Sequence, residues 1–134
     1  MLEGFSKMKR SINLREVCKK HRLAVTHAQW MVLSFIERGG TASTKEISAA
    51  FGITSSAVTQ IISELLKHSF VTKQMDTVDR RVAVIRLTPA TKKDMARAKR
   101  AILTHLVRLF SVLNDKEFAM YVRLNKKINN KKLS

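Results

Sequence analysis

The stretch TKEISAAFGITSSAVTQIISEL, Thr44 to Leu65, decides the fold. Ile47, Ala50 and Phe51 keep one helical face up to Gly52, and Val58, Ile61, Ile62 and Leu65 resume it beyond. Gly52 ends the first helix, because glycine takes left-handed backbone at little steric cost. Ile53 reads as the buried residue of the turn, and Thr54 or Ser55 as the cap of a second, longer helix. The early, opposite face of that helix carries Ser55, Ser56, Thr59 and Gln60. Two helices joined by a tight glycine turn, the second opening on small polar residues, form a helix-turn-helix arrangement.

Upstream, Phe5, Met8, Ile12, Val17 and Cys18 stand near helical spacing and predict a weakly apolar helix over about 5–22. Thr26 caps a helix in which Trp30, Leu33 and Ile36 recur, and Gly39-Gly40 stops it. Downstream the period changes. Phe70 to Met75 and Val82 to Leu87 are β-rich runs around the polar loop Asp76-Thr77-Val78-Asp79-Arg80-Arg81, which predicts a two-stranded wing. In its second strand Ala83, Ile85 and Leu87 face one way, Val82, Val84 and Arg86 the other. Thr88-Pro89 opens a long helix to about Leu113, and Asn114 or Asp115 caps a last helix with Phe118, Tyr121, Val122 and Leu124. The expected fold is therefore mainly α with a small β-hairpin.

Composition narrows the function. The 134 residues suit one domain, and 45% hydrophobic with 27% charged residues is a folding composition rather than a disordered polycation. No apolar run has the length of a membrane span or a signal peptide, so a cytoplasmic protein without a membrane partner is expected. The single cysteine, Cys18, excludes an internal disulfide framework. A formal net charge of +16 calls for a polyanionic partner, nucleic acid before an anionic membrane surface. The charge is uneven: residues 91–134 carry twelve Lys+Arg against Asp94, Asp115 and Glu117, whereas Thr44 to His68 balances Lys45 and Lys67 with Glu46 and Glu64. The centre must read its partner by chemistry other than charge.

The ordered series Val25-Thr26-His27-Ala28-Gln29-Trp30, Lys45-Glu46-Ile47, Gly52 to Thr59, Asp79-Arg80-Arg81 and Ile85-Arg86-Leu87-Thr88 resembles the MarR family of bacterial winged helix-turn-helix regulators, from about Leu23 to Leu124. Its most specific pieces are the Asp-x-Arg of the wing and the Leu-Thr that closes the second wing strand. The resemblance implies a winged helix-turn-helix part over about 26–88, with dimerisation helices over about 1–25 and 89–134. It further implies a homodimer on a pseudo-palindromic operator. It makes the helix after Thr54 the recognition helix, puts Arg81 in the minor groove, and has Asp79 steady that loop. A transcriptional regulator at the nucleoid follows, a repressor whose grip a small-molecule effector changes; the alternative is a nonspecific or architectural nucleic-acid binder. Two departures stand out: Gln60 occupies a position where many members carry arginine, and the segment before Thr26 is short.

The chemistry of single residues can be weighed on its own. In a major groove, glutamine bonds adenine bidentately and serine or threonine reaches a base edge or phosphate, so Thr54, Ser55, Ser56, Thr59 and Gln60 are the expected base-reading set. The competing reading is ordinary helix capping by Thr54 or Ser55. Arg80 and Arg81 suit a narrow A·T-rich minor groove; the competing reading is a solvated hairpin with an Asp79–Arg81 ion pair, contributing under about 1 kcal/mol. Thr44, Lys45, Lys73 and Arg86 are expected at the phosphate backbone. Cys18 stands beside Lys19, Lys20 and His21, which could activate a thiol, but a buried helix cysteine is the expectation. Cys18-x-x-His21 is a poor metal site, since His27, His68 and His105 are scattered. No cofactor is expected. Neither is an enzyme, for there is no nucleophile–base signature or glycine-rich phosphate loop.

Overall fold

The structure, a computed structural model, describes Glu3 and residues 13–130. Along the chain run α1 (Leu14–Lys20), α2 (His27–Gly39), β1 (Ala42–Ser43), α3 (Thr44–Phe51), α4 (Ser55–Lys67), β2 (Val71–Met75), β3 (Ala83–Leu87), α5 (Pro89–Phe110) and α6 (Asp115–Asn129). The fold is mainly α with one small antiparallel sheet, a winged helix-turn-helix flanked by helices at both ends. Of the helix expected over 5–22, Phe5, Met8 and Ile12 lie outside the described residues. Its described part is capped by Asn13, whose Oδ1 accepts from the Glu16 N–H at 3.3 Å. It stops at Lys20 rather than Arg22, because Arg22 turns the chain at φ +63°.

Reciprocal caps set three helix starts. Thr26 Oγ1 accepts from the Gln29 N–H at 3.1 Å while Gln29 accepts from the Thr26 N–H at 2.9 Å. Ser43 and Glu46 do the same for α3 at 3.1 and 2.7 Å, and Asn114 with Glu117 for α6 at 3.0 and 2.9 Å. Each such cap contributes about 1 kcal/mol. Ser43, not Thr44, is thus the cap of α3; Thr44 is its first residue.

Between α3 and α4 the chain bends by 118°. Gly52, at φ +62°, makes the turn. Ser48 then closes it, its hydroxyl donating to the Ile53 carbonyl at 2.6 Å while the Ile53 N–H donates to the Ser48 carbonyl at 3.3 Å. Ile53 is half-buried against the core rather than fully enclosed.

The wing is three-stranded, in the order β1-β3-β2, where two strands were expected. The added strand is only Ala42–Ser43, paired as Ala42↔Ile85 and Ser43↔Val84. Two residues are too few for the alternation that marks a strand in sequence. Strands β2 and β3 pair from Val71↔Leu87 to Met75↔Ala83. As expected, Ile85 and Leu87 are buried and Arg86 is exposed. Immediately after β3, the Thr88 N–H donates to the Phe70 carbonyl at 3.1 Å, and its hydroxyl donates to the Ser69 carbonyl at 3.1 Å. Thr91, buried, stands 2.7 Å from that hydroxyl.

Helix α5 ends at Phe110, short of the expected Leu113, because the Ser111 hydroxyl takes the Arg108 carbonyl at 2.7 Å and the chain turns toward the Asn114 cap. Phe110 holds α6 against this end through Tyr121 and Phe118, with ring centroids 4.8 and 5.7 Å apart. Leu33, Ile36, Ile47, Leu65, Ile85 and Met95 are all under 2% exposed and come from α2, α3, α4, β3 and α5. Each contributes about 1.5–3 kcal/mol by leaving water. Helix α6 buries none of its residues. Among the described residues no single helix is long and apolar enough to cross a membrane.

A Cβ added at Gly39 or Gly52 meets no atom within 4 Å, so substitution at either reports backbone conformation alone. Gly52→Ala should destabilise by about 1–2 kcal/mol, the cost of left-handed backbone for an L side chain. Gly39→Ala, inside α2, should be neutral or stabilise by up to about 1 kcal/mol. Urea denaturation of the two variants checks the pair; equal effects would sink the assignment of the turn to Gly52.

Candidate nucleic-acid interface

Helix α4 presents its polar opening face to solvent because Val58, Ile62 and Leu65 are spent on the core. Ser55, Ser56, Thr59 and Gln60 are all exposed, as the helical spacing requires. Their hydrogen bonds then divide them. Thr54 accepts from the Ala57 N–H at 3.1 Å, so it, not Ser55, is the cap. The Thr59 hydroxyl donates to the Ser55 carbonyl at 2.9 Å. Thr59 therefore faces outward with a methyl group and acceptor lone pairs, its one donor already used. Ser55, Ser56 and Gln60 make no side-chain hydrogen bond among the described residues. Gln60 keeps both an amide donor and a carbonyl acceptor available, the pair that a bidentate contact to adenine needs.

The loop between β2 and β3 is held by its own carboxylates. Asp76 Oδ1 accepts from the Val78 N–H and Asp79 Oδ1 from the Arg81 N–H, each at 3.0 Å. The Asp76 N–H donates to the Val82 carbonyl at 2.8 Å and the Val82 N–H to the Asp79 carbonyl at 3.0 Å. Asp79 thus bonds the backbone of Arg81 and not its guanidinium. The ion pairs among the described residues are Glu37–Lys99, Asp94–Arg97 at 3.6 Å and Glu64–His68 at 4.0 Å. Arg80 and Arg81, both exposed, are in none of them. The alternative of an Asp79–Arg81 ion pair does not form.

The residues expected at the phosphate backbone do not form one patch. Lys45 is exposed in the first turn of α3 beside half-buried Thr44. Arg86 pairs with Thr72 across the sheet, whereas Lys73 pairs with Ile85. Directly opposed residues share a face and successive residues alternate, so Lys73 and Arg86 belong to opposite faces of the wing. Lys73 is exposed although it shares the Ile85 face, because β2 is an edge strand that leaves the core after Val71. Ser48 and Ser43, which fix the turn and the start of α3, were not singled out in sequence; Ser43-x-x-Glu46 was the readable signal for one of them.

Cys18 is 2% exposed, and burial raises its thiol pKa, which opposes the activation its basic neighbours would favour. Beside it a cavity of about 270 Å³ opens between α1 and α2, lined by Leu14, Cys18, Val25, Thr26, His27 and Trp30 among others. No group of three or more His, Cys, Asp or Glu that could hold a metal occurs among the described residues.

Residues 25–82 match the model of the MarR family. No curated protein sequence matches the chain. Solved structures share its architecture over nearly the whole length. The YusO protein from Bacillus subtilis is 23% identical with a TM-score of 0.81, covering 98% of this chain and 90% of that one. RV1404 from Mycobacterium tuberculosis is 13% identical with a TM-score of 0.85, covering 97% and 90%. MarR from E. coli complexed with operator DNA is 21% identical with a TM-score of 0.68, covering 95% and 90%. At these identities the likeness is one of fold, while the matched segment spans the helix-turn-helix and the wing loop. The chain is a member of the MarR family and carries the fold of its transcriptional regulators.

Proposed function

We propose that this chain is a sequence-specific double-stranded DNA-binding regulator, a homodimeric repressor on a pseudo-palindromic operator, with α4 in the major groove and the wing arginine in the minor groove. The observation that carries the reading is the exposed, uncharged row Ser55, Ser56, Thr59 and Gln60, followed by a rigid loop whose two arginines have no carboxylate partner. The base-reading set is Thr54, Ser55, Ser56, Thr59 and Gln60; Asp79, Arg80 and Arg81 form the wing contact, and Thr44, Lys45, Lys73 and Arg86 lie along phosphates. Within this set Thr54 acts through its cap, and Thr59 through its methyl group, which suits a thymine methyl. That E. coli MarR has been seen with operator DNA supports the docking mode. The helix-turn-helix and wing, about 26–88, form the DNA-binding part, and the terminal helices the dimerisation part.

Apolar groups left in water support the dimer. Leu103 and Val107 on α5 are 60% and 62% exposed, and Ile128 on α6 is 72% exposed. A second copy covering them would bring together two chains of +16 each, so apolar burial works against charge repulsion. The cavity beside Cys18 exceeds the roughly 150 Å³ that holds a benzene ring, and seats the small effector of this reading. The protein acts in the cytoplasm, at the nucleoid.

Selection from random duplexes should enrich one palindrome; enrichment of no common sequence defeats the regulator reading in favour of a nonspecific binder. On the selected site Arg81→Ala should weaken binding by about 1–3 kcal/mol, and Gln60→Ala should relax preference at one base position. Arg81→Ala should also lower the slope of log K against log salt by about one, as one fewer phosphate is neutralised. Sedimentation equilibrium should show a dimer that tightens as salt rises. Leu103→Glu, present twice in a two-fold interface, should weaken that dimer by about 3–6 kcal/mol; an unchanged dimer would place the interface elsewhere.

A further inference from the structure

The wing tip carries apolar side chains that the core does not claim. Val78 is 93% exposed, more than any other large hydrophobic residue described, and Met75 and Val82 beside it are 57% and 36% exposed. The backbone around them is not loose. Asp76 and Asp79 turn their carboxylates inward onto the Val78 and Arg81 N–H groups, and the Asp76 N–H and Val82 carbonyl close the loop at its base. What this fixed loop turns toward solvent is one valine at its apex and two arginines with no carboxylate partner.

That combination selects an occupant. The loop's own acids are engaged with backbone, so the outward charge of the tip is positive and its apex is apolar. A partner with anionic rims and an apolar interior fits both. The minor groove of duplex DNA is such a partner: phosphates line its edges, deoxyribose carbons form its walls, and apolar side chains are known to wedge against base steps there. Resting on the DNA reading above, we infer that Val78 is a minor-groove contact in its own right, an apolar wedge seated against sugar walls while Arg80 and Arg81 take the potential of the groove. Arginine then supplies the salt-dependent part of the wing's grip, and valine a part that salt does not screen.

The two kinds of contact separate experimentally, because an apolar contact releases no counterions. Binding to the selected operator would be followed by fluorescence anisotropy from low to high potassium chloride for wild type, Val78→Ser, Val78→Ile and Arg81→Ala. Val78→Ser should weaken binding about five- to tenfold at every salt concentration, the loss expected for partial burial of one valine. The slope of log K against log salt should stay that of the wild type, and Val78→Ile should restore affinity. Arg81→Ala should change the slope. At 93% exposure Val78 supports no core, so both variants should match the wild type in urea denaturation. Wild-type affinity in Val78→Ser overturns the inference and leaves the DNA reading standing. A Val78→Ser protein altered in sedimentation but not in operator binding also overturns it, because the tip then docks on a second copy. If the wild type binds no duplex at all, the DNA reading falls and takes the inference with it.

Discussion

Three segments meet at Thr88. Its N–H holds the Phe70 carbonyl, its hydroxyl holds the Ser69 carbonyl, and it caps the first turn of α5. The end of the recognition helix, the base of the wing and the start of the long helix are therefore fixed at one residue. Ser69 stands at φ +58°, a costly conformation for a serine, and the bonds from Thr88 to its carbonyl and the next hold it there. Any displacement of α5 is felt at this point by both DNA-facing elements. The closing Leu87-Thr88 of the second wing strand has a physical meaning in these terms: the leucine fills the core and the threonine ties the elements together.

Much of this architecture was legible before the structure. Helix starts announced themselves through Thr26-x-x-Gln29, Thr54 and Thr88-Pro89, because a cap is local chemistry and local chemistry survives in sequence. The polar face of α4 was legible for the same reason: the spacing of Val58, Ile62 and Leu65 leaves Ser55, Ser56, Thr59 and Gln60 outside. Strand β1 was not, since it exists only through its register with β3, and a two-residue strand has no period to read. Nor could the opposite placement of Lys73 and Arg86 be seen until Val71 was known to face Leu87. The hydroxyl of Thr59 gave no sequence sign of being turned onto the Ser55 carbonyl, because exposure and hydrogen-bond availability are different properties.

The division of labour in the charge follows from the same geometry. Recognition-helix residues from Thr54 to Leu66 include one charged residue, Glu64, while α5 and α6 carry ten of the chain's lysines and arginines. Field and readout are carried by different elements: the flanks raise the local concentration of a polyanion, and the uncharged face decides which sequence it holds. The wing joins the two, with arginines on a loop whose acids are already spent.

Cys18 has a practical consequence. It is the chain's one thiol, it belongs to the core, and its helix packs on α5. A thiol reagent in solution reaches it only during excursions in which α1 lifts from that helix, so the rate of labelling counts those excursions. The chain thus carries a built-in clock for local opening at the junction of its end helices, one that needs no added probe and leaves the DNA-facing surface untouched.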